Sequence, residues 1–260
     1  MHDILDDYAQ TNALREINPR LKLLLGLGSI MLCVFSTSVV APAVIAVTMG
    51  VLTVMKAKIP AGFYLKLLMV PLSFAIFSCA AILFVQGSAD PIISIGIMGL
   101  KLEASRQGAN LATLLLARTF GGMSALFFIA LTTPMVELFS VLRSIGVPEV
   151  IVELSMLIYR YIFVLLGEAA MIRDAQEMRL GYSSLRSSFN SFAMLSSVLF
   201  LRAWDQGERL MIAMDSRCYD GRLDLAENSP RISAMSIASV LAFEVAVAAI
   251  ALLTRDITLM

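Results

Sequence analysis

The chain has 260 residues, 58% of them hydrophobic and only 15% charged, with a mean hydropathy of +0.83, which leaves too little polar surface to coat a water-soluble globule. Its 20 basic and 20 acidic residues cancel, so no polybasic arm or nucleic-acid partner is expected. Cys33, Cys79 and Cys218 have no paired spacing, and the first two lie in apolar runs where cysteine behaves as a small hydrophobe, so neither a disulfide framework nor a metal site is read from them.

In chain order, the first twenty residues carry Asp3, Asp6, Asp7 and Glu16 without an apolar centre, unlike a cleaved signal peptide. Five apolar runs of spanning length follow: Leu21 to Thr37, Val39 to Met55, Phe63 to Val85, Leu111 to Leu131 and Ala234 to Leu253. Arg15, Arg20 and Lys22 cluster at the start of the first run, and Lys56, Lys58 and Lys66 around the junction of the second and third. By the positive-inside rule both flanks, and the N-terminus, are expected on the cytoplasmic side. Five crossings then put the C-terminus outside. The outer loop, Gln86 to Gln107, has partial two-residue alternation from Ile92 to Leu102, consistent with a short hairpin or an interfacial segment.

Away from the ends of the runs two charges remain, Arg118 and Glu244. Each costs about 2.5–3.5 kcal/mol at a bilayer centre on insertion scales, which leaves two readings: they pair with each other, or they face a partner subunit. Gly121 and Gly122, after Arg118, permit close helix approach.

Between Pro134 and Arg231 the composition changes to ten arginines, no lysine and twelve acidic residues. Arginine alone suggests planar, bidentate recognition of carboxylates. Gly146-Val147-Pro148 breaks one helix, and a long helical pattern runs from Glu149 to about Arg179, with Glu149, Glu153 and Arg160 on one face and an apolar remainder. The serine-rich stretch YSSLRSSFNS separates it from a helix over about Leu195 to Asp215, where Arg202, Asp205 and Arg209 recur at i, i+3 and i+7 as an ion-pair ladder. The two helix ends rhyme: Met178-Arg179-Leu180-Gly181 and Ser216-Arg217-Cys218-Tyr219-Asp220-Gly221. Each arginine sits in a last turn, with a glycine following that can adopt the left-handed conformation ending a helix. Simple capping explains one such arginine; two matched cases point to a docking role on an acidic groove.

The order and spacing of Asn18-Pro19-Arg20-Leu21-Lys22-Leu23-Leu24, Leu131-Thr132-Thr133-Pro134, Gly146-Val147-Pro148 and Tyr159-Arg160-Tyr161-Ile162-Phe163 followed by Glu168-Ala169 resemble the transmembrane T component of energy-coupling factor transporters, in the cobalt and nickel uptake (CbiQ-like) branch. The resemblance implies an all-α, polytopic membrane helical bundle with long cytoplasmic coupling helices. It would divide into N-terminal membrane helices (1–133), a coupling segment (134–233) and a last membrane helix (234–260), in the cell membrane.

It further implies two ATP-binding cassette ATPase subunits, docked through Ala-Arg-Gly-like motifs matched here by Arg179 with Gly181 and Arg217 with Gly221. A substrate-binding S component of the cobalt or nickel type and a small accessory membrane subunit would complete the complex. The chain departs from the motif at Met178 and Leu180, and at Ser216 and Cys218. Glu153, Arg160, Arg202, Asp205 and Arg209 would be coupling-helix ion pairs.

No GxxxxGK[ST] segment is present, so a nucleotide site belongs to another chain, and no cofactor or catalytic residue is assigned. His2 is the one histidine, a poor basis for a cobalt or nickel site. A membrane enzyme lacks its HExxH or GxSxG constellation. A conventional importer permease is the nearer rival through Glu168-Ala169-Ala170, but Asp174 stands where its glycine belongs. A T component serving vitamin-binding partners is the other alternative.

Overall fold

Asn18 opens the first long helix by accepting a hydrogen bond from the Arg20 N–H through its side chain, and Pro19 supplies a first helical position that needs no donor. The computed structural model describes residues 2–15, 17–85, 91–97, 100–220 and 233–254. Within them the order is α1 (His2–Thr11), α2 (Pro19–Phe35), α3 (Val40–Val51) running into a π-helical turn (Leu52–Lys56), α4 (Ala61–Val85), β1 (Pro91–Ile97), β2 (Leu100–Ser105), α5 (Arg106–Thr132), α6 (Met135–Ser144), α7 (Glu149–Met178), α8 (Leu185–Asp215) and α9 (Ala234–Leu253). The class is helical, as the sequence implies. Its exception is the antiparallel β1–β2 hairpin, on the alternating stretch read as a hairpin or interfacial segment.

The chain divides into two compact units, residues 1–138 with 228–260, and residues 139–227; the boundary falls inside α6. In the first unit α5 packs against α1 to α4, and α9 packs on α2 and α3. Ile45, Met49, Ala125, Phe128 and Val247 form one core, and Ile59, Tyr64, Leu68 and Leu131 a second. Large apolar side chains such as Leu27, Met31, Met69, Phe74 and Phe77 remain exposed, as in helices that face lipid rather than water.

Among the described residues four helices are long and apolar enough to cross a membrane: residues 61–83 of α4, 108–132 of α5, α7 and α9. Three of these match expected runs. The other two expected runs form helices of 17 residues each, Pro19–Phe35 and Val40–Lys56, whose rise of about 26 Å is at the lower limit for a span.

Glycine lets α5 approach its neighbours. A Cβ on Gly121 would stand 2.7 Å from the Pro42 carbonyl oxygen and 2.7 Å from Cys33 Sγ, whereas one on Gly122 would meet nothing within 4 Å. Of the two glycines read as permitting close approach, Gly121 has that role. Gly121→Ala is therefore expected to cost about 1–3 kcal/mol by overpacking. Gly122→Ala is expected to stay within about 0.5 kcal/mol of the parent, both read as thermal unfolding in detergent.

The second unit is built from the rest of α6 with α7 and α8. α6 ends on Gly146 at φ +96°, with the Val147 N–H donating to the Leu142 carbonyl, and Arg143 pairs with Glu149 across the turn. Contacts of residue 176 with 191, 168 with 202 and 153 with 219 run in opposite directions, so α7 and α8 lie antiparallel. α8 starts at Leu185, ten residues earlier than the sequence suggests. Ser184 caps it by accepting from the Ser187 N–H, and the serine hydroxyls inside it return to the helix's own carbonyls, as Ser188 does to Ser184 and Ser197 to Ala193.

Candidate functional site

Both long helices of the second unit end in the same hydrogen-bonded turn. At the end of α7 the Gly181 N–H donates to the Gln176 carbonyl (2.8 Å) and the Leu180 N–H to the Glu177 carbonyl (2.9 Å). At the end of α8 the Tyr219 N–H donates to Met214 and the Cys218 N–H to Asp215, each at 3.1 Å. These are paired 6→1 and 5→2 bonds of a Schellman ending. In that hydrogen-bond frame Arg179 and Arg217 occupy identical positions, each two residues after an acid (Glu177, Asp215) and one before a residue at φ +58°. Both arginines are exposed, and among the described residues neither guanidinium meets a carboxylate.

The expectation that glycine takes the left-handed position is corrected. Leu180 and Cys218 take it, in a conformation that costs a residue with a Cβ about 1–2 kcal/mol. Gly181 is needed for space instead: a Cβ there would lie 2.7 Å from Ser191 Oγ and 2.9 Å from the Gln176 carbonyl oxygen. Gly221 lies outside the described residues.

Each turn is pinned by side chains. Ser187 and Ser191 donate to the Gly181 carbonyl at 2.9 Å each, Tyr182 Oη donates to Gln176 Oε1 at 2.8 Å, and Gln176 Nε2 donates to the Ser191 carbonyl at 3.0 Å. The serine-rich stretch is thus the scaffold of the first arginine turn. The second is anchored by Tyr219 Oη, which donates at 3.1 Å to Glu153, a carboxylate only 4% exposed on α7. With α7 and α8 of 30 and 31 residues, antiparallel, the two arginine turns stand at opposite ends of a hairpin about 45 Å long.

The expected ion pairs are redistributed. Arg202 reaches Glu168 on α7 at 3.6 Å instead of closing a ladder on its own helix, and Asp205 and Arg209 are exposed without a salt bridge among the described residues. Glu153 takes Tyr219 rather than Arg160, which is exposed. The cause is competition: a partner on an adjacent helix restricts one rotamer-rich side chain already held by packing, while an exposed pair on one helix must order two. Between α7 and α8 lies an apolar groove of about 920 Å³, lined by Leu154, Ile158, Tyr161, Trp204 and Met211, with Glu153 and Tyr219 among its polar lining residues.

In the first unit, Arg118 and Glu244 do not pair with each other. Arg118 donates through Nε (2.9 Å) and Nη2 (2.6 Å) to the Ser36 carbonyl that ends α2. Glu244 accepts from Ser29 Oγ at 3.1 Å and fills a notch that Gly28 leaves open, where a Cβ would come within 2.9 Å of its Oε1. A second cation was not read as structural. Lys22, 3% exposed, donates at 2.9 Å to the Thr132 carbonyl that ends α5 and lies 4.0 Å from Glu137. Asn12 Nδ2 meets the Leu131 and Thr132 carbonyls at 3.5 and 3.4 Å. The two antiparallel helices thus cap each other: α5 supplies Arg118 to the end of α2, and α2 supplies Lys22 to the end of α5, a cation at the negative pole of each helix. Both intervals, Lys22 to Ser36 and Arg118 to Thr132, are fourteen residues, or about 21 Å. In the sequence the trace of this site was no more than two opposite charges, Lys22 and Glu137, each beside an apolar run.

Among the described residues no group of three His, Cys, Asp or Glu is placed to hold a metal ion. A family model for the cobalt transport protein CbiQ matches residues 10–227. An uncharacterized protein of Methanocaldococcus jannaschii is 40% identical over 258 residues, covering 99% of this chain and 96% of that one. A protein of Methanocorpusculum labreanum described as a fused cobalt transport protein CbiMQ is 41% identical over 241 residues, 92% of this chain but 40% of that one. The cobalt transport protein CbiQ of Rhodobacter capsulatus is 32% identical over 230 residues, 88% of this chain and 89% of that one. With four membrane-length helices and a family match over most of its length, this multi-pass chain belongs to the CbiQ family of cobalt transport proteins.

Proposed function

We propose that this chain is the transmembrane coupling subunit of an energy-coupling-factor type importer, passing the movement of two ATPase subunits to a membrane subunit that binds cobalt. The observation that carries the reading is the pair of superposable arginine turns. Arg179 and Arg217 are exposed on turns held by side-chain hydrogen bonds and stand at opposite ends of a hairpin about 45 Å long, a spacing that suits two docking partners better than one.

The division into a membrane unit and a coupling unit follows from charge. α7 is apolar enough to span, but Glu153 and Arg160 would together cost about 5–7 kcal/mol near a bilayer centre, which favours placing it along the cytoplasmic surface. The end of the first unit where Asn12, Lys22 and Thr132 meet also gathers Arg15, Arg20, Lys56 and Lys58, whereas the Ser36 end has Arg118; by the positive-inside rule this distribution supports a cytoplasmic N-terminus.

The cobalt-binding partner is proposed as a CbiM-type membrane protein. The fused CbiMQ relative supports this, since covalent joining keeps two parts at high effective concentration. In the cycle proposed, closure of the ATPase pair on ATP draws the two arginine turns with it, the α7–α8 hairpin moves as a lever, and the substrate-binding subunit is reoriented. The test is reconstitution of this chain in proteoliposomes with the candidate ATPase and the CbiM-type protein, following uptake of radioactive cobalt. ATP-dependent uptake that requires all three supports the reading. Uptake of nickel or a vitamin in place of cobalt would reassign the substrate, and uptake by this chain alone would overturn the coupling role.

A further inference from the structure

The second unit holds three helix ends of one type, and they differ in a single respect. α6, α7 and α8 all close with the 6→1 bond of a Schellman turn, and each needs one residue at positive φ. α6 places Gly146 there, the residue with no Cβ to strain. α7 and α8, the two ends that present an exposed arginine, place Leu180 and Cys218 there instead.

A side chain at that position is disfavoured by sterics and is expected to give way to glycine unless it contributes elsewhere. Inside this chain it contributes little. Leu180 is 74% exposed and Cys218 is exposed, so burial within the fold does not offset the strain of either. An exposed leucine also carries apolar surface in water, a second penalty at the same residue. Neither turn is loose: Gln176, Tyr182, Ser187 and Ser191 hold the first, and Tyr219 with Glu153 the second. The side chains are therefore presented, adjacent to the arginines, in fixed directions.

Building on the docking role assigned above, we infer that Leu180 and Cys218 are the second contact of each docking turn, each seating in an apolar recess of the ATPase beside the carboxylate that receives Arg179 or Arg217. The arginine supplies charge-assisted hydrogen bonds, and its neighbour supplies the dry contact that excludes water from them.

Two measurements on the purified full-length chain in detergent test this. In the first, Leu180→Ala and Cys218→Ala remove the side chain while keeping a Cβ and the backbone strain, and Leu180→Gly and Cys218→Gly remove both. The alanine double variant is expected to bind the ATPase at least tenfold more weakly than the parent. The glycine double variant is expected to bind as weakly while unfolding at an equal or higher temperature. In the second, a water-soluble maleimide is expected to label Cys218, since Cys33 and Cys79 are buried, and saturating ATPase is expected to slow that labelling at least tenfold. Cys218→Ser gives the background.

If Arg179→Ala with Arg217→Ala loses the ATPase while the Leu180 and Cys218 variants bind like the parent and labelling is not slowed, the second contact is overturned and the docking reading stands. If the arginine variants also bind like the parent, the docking reading itself fails and this inference with it.

Discussion

Changing Arg179 and Arg217 together to alanine is expected to abolish stable association with the ATPase while leaving the membrane protein folded. Both side chains are exposed and neither holds a carboxylate among the described residues, so their loss removes little from the described fold. A charge-assisted hydrogen bond at an interface contributes about 1.5–3 kcal/mol, and two independent sites about 3–6 kcal/mol, or roughly 10² to 10⁴ in affinity. Each single variant is expected to lose the square root of that factor and each Arg→Lys variant to fall between, because lysine keeps the charge and loses the fork. Co-purification of detergent-solubilised parent and variants with the ATPase, with circular dichroism and gel filtration as checks of folding, reads this out. Full recovery of the ATPase on a well-folded double variant would rule out the docking role.

A large effect on stability is also expected at Lys22. Lys22→Met uncovers the Thr132 carbonyl and leaves Glu137 facing the end of α5 without its counter-charge. Breaking a fully buried pair typically costs about 3–5 kcal/mol; because the Glu137 side chain keeps 28% of its surface exposed, about 2 kcal/mol is expected here. The pH dependence gives an independent check. Burial holds the Glu137 carboxyl above its ordinary value of 4.5, against the opposing pull of Lys22 and then Arg15. The folded protein therefore keeps this proton to higher pH than the unfolded chain, and the contribution of Glu137 to stability falls as pH rises from 4.5 through the raised folded value. Lys22→Met removes the stronger opposing charge, so that decline should extend to higher pH. Glu137→Gln on the same background should flatten it and recover part of the lost stability. Unfolding in detergent from pH 4 to pH 8 distinguishes these curves, and a Lys22→Met protein as stable as the parent would remove the clasp from the account of the fold.

Periodicity and length were enough to place α4, α5 and α9 within a few residues of their observed ends, since apolar runs of spanning length have few alternative structures. The alternation from Ile92 to Leu102, read as a short hairpin or an interfacial segment, falls on β1 and β2. The arginine turns were legible as a rhyme, because an arginine after a charged helix and before a turn is a local pattern. What the pattern did not reveal was long-range. Tyr219 and Glu153 are 66 residues apart and meet only when α7 and α8 fold back on each other. Lys22 looked like one more positive flank of a membrane helix, and only the approach of α5, 110 residues later, makes it an interior cap. Glycine was credited with the left-handed conformation because it adopts it most easily, and sequence alone does not register a strained leucine in its place.

The paired clasps of α2 and α5 have a mechanical corollary. Lys22 on Thr132 and Arg118 on Ser36 act as two bolts set about 21 Å apart through the same pair of shafts, so a slide of a single residue, about 1.5 Å, would strain both at once. Tilting about either bolt is blocked by the other. The clasps thus favour one register of these two helices, and a relative slide of α2 and α5 would have to break both sets of hydrogen bonds.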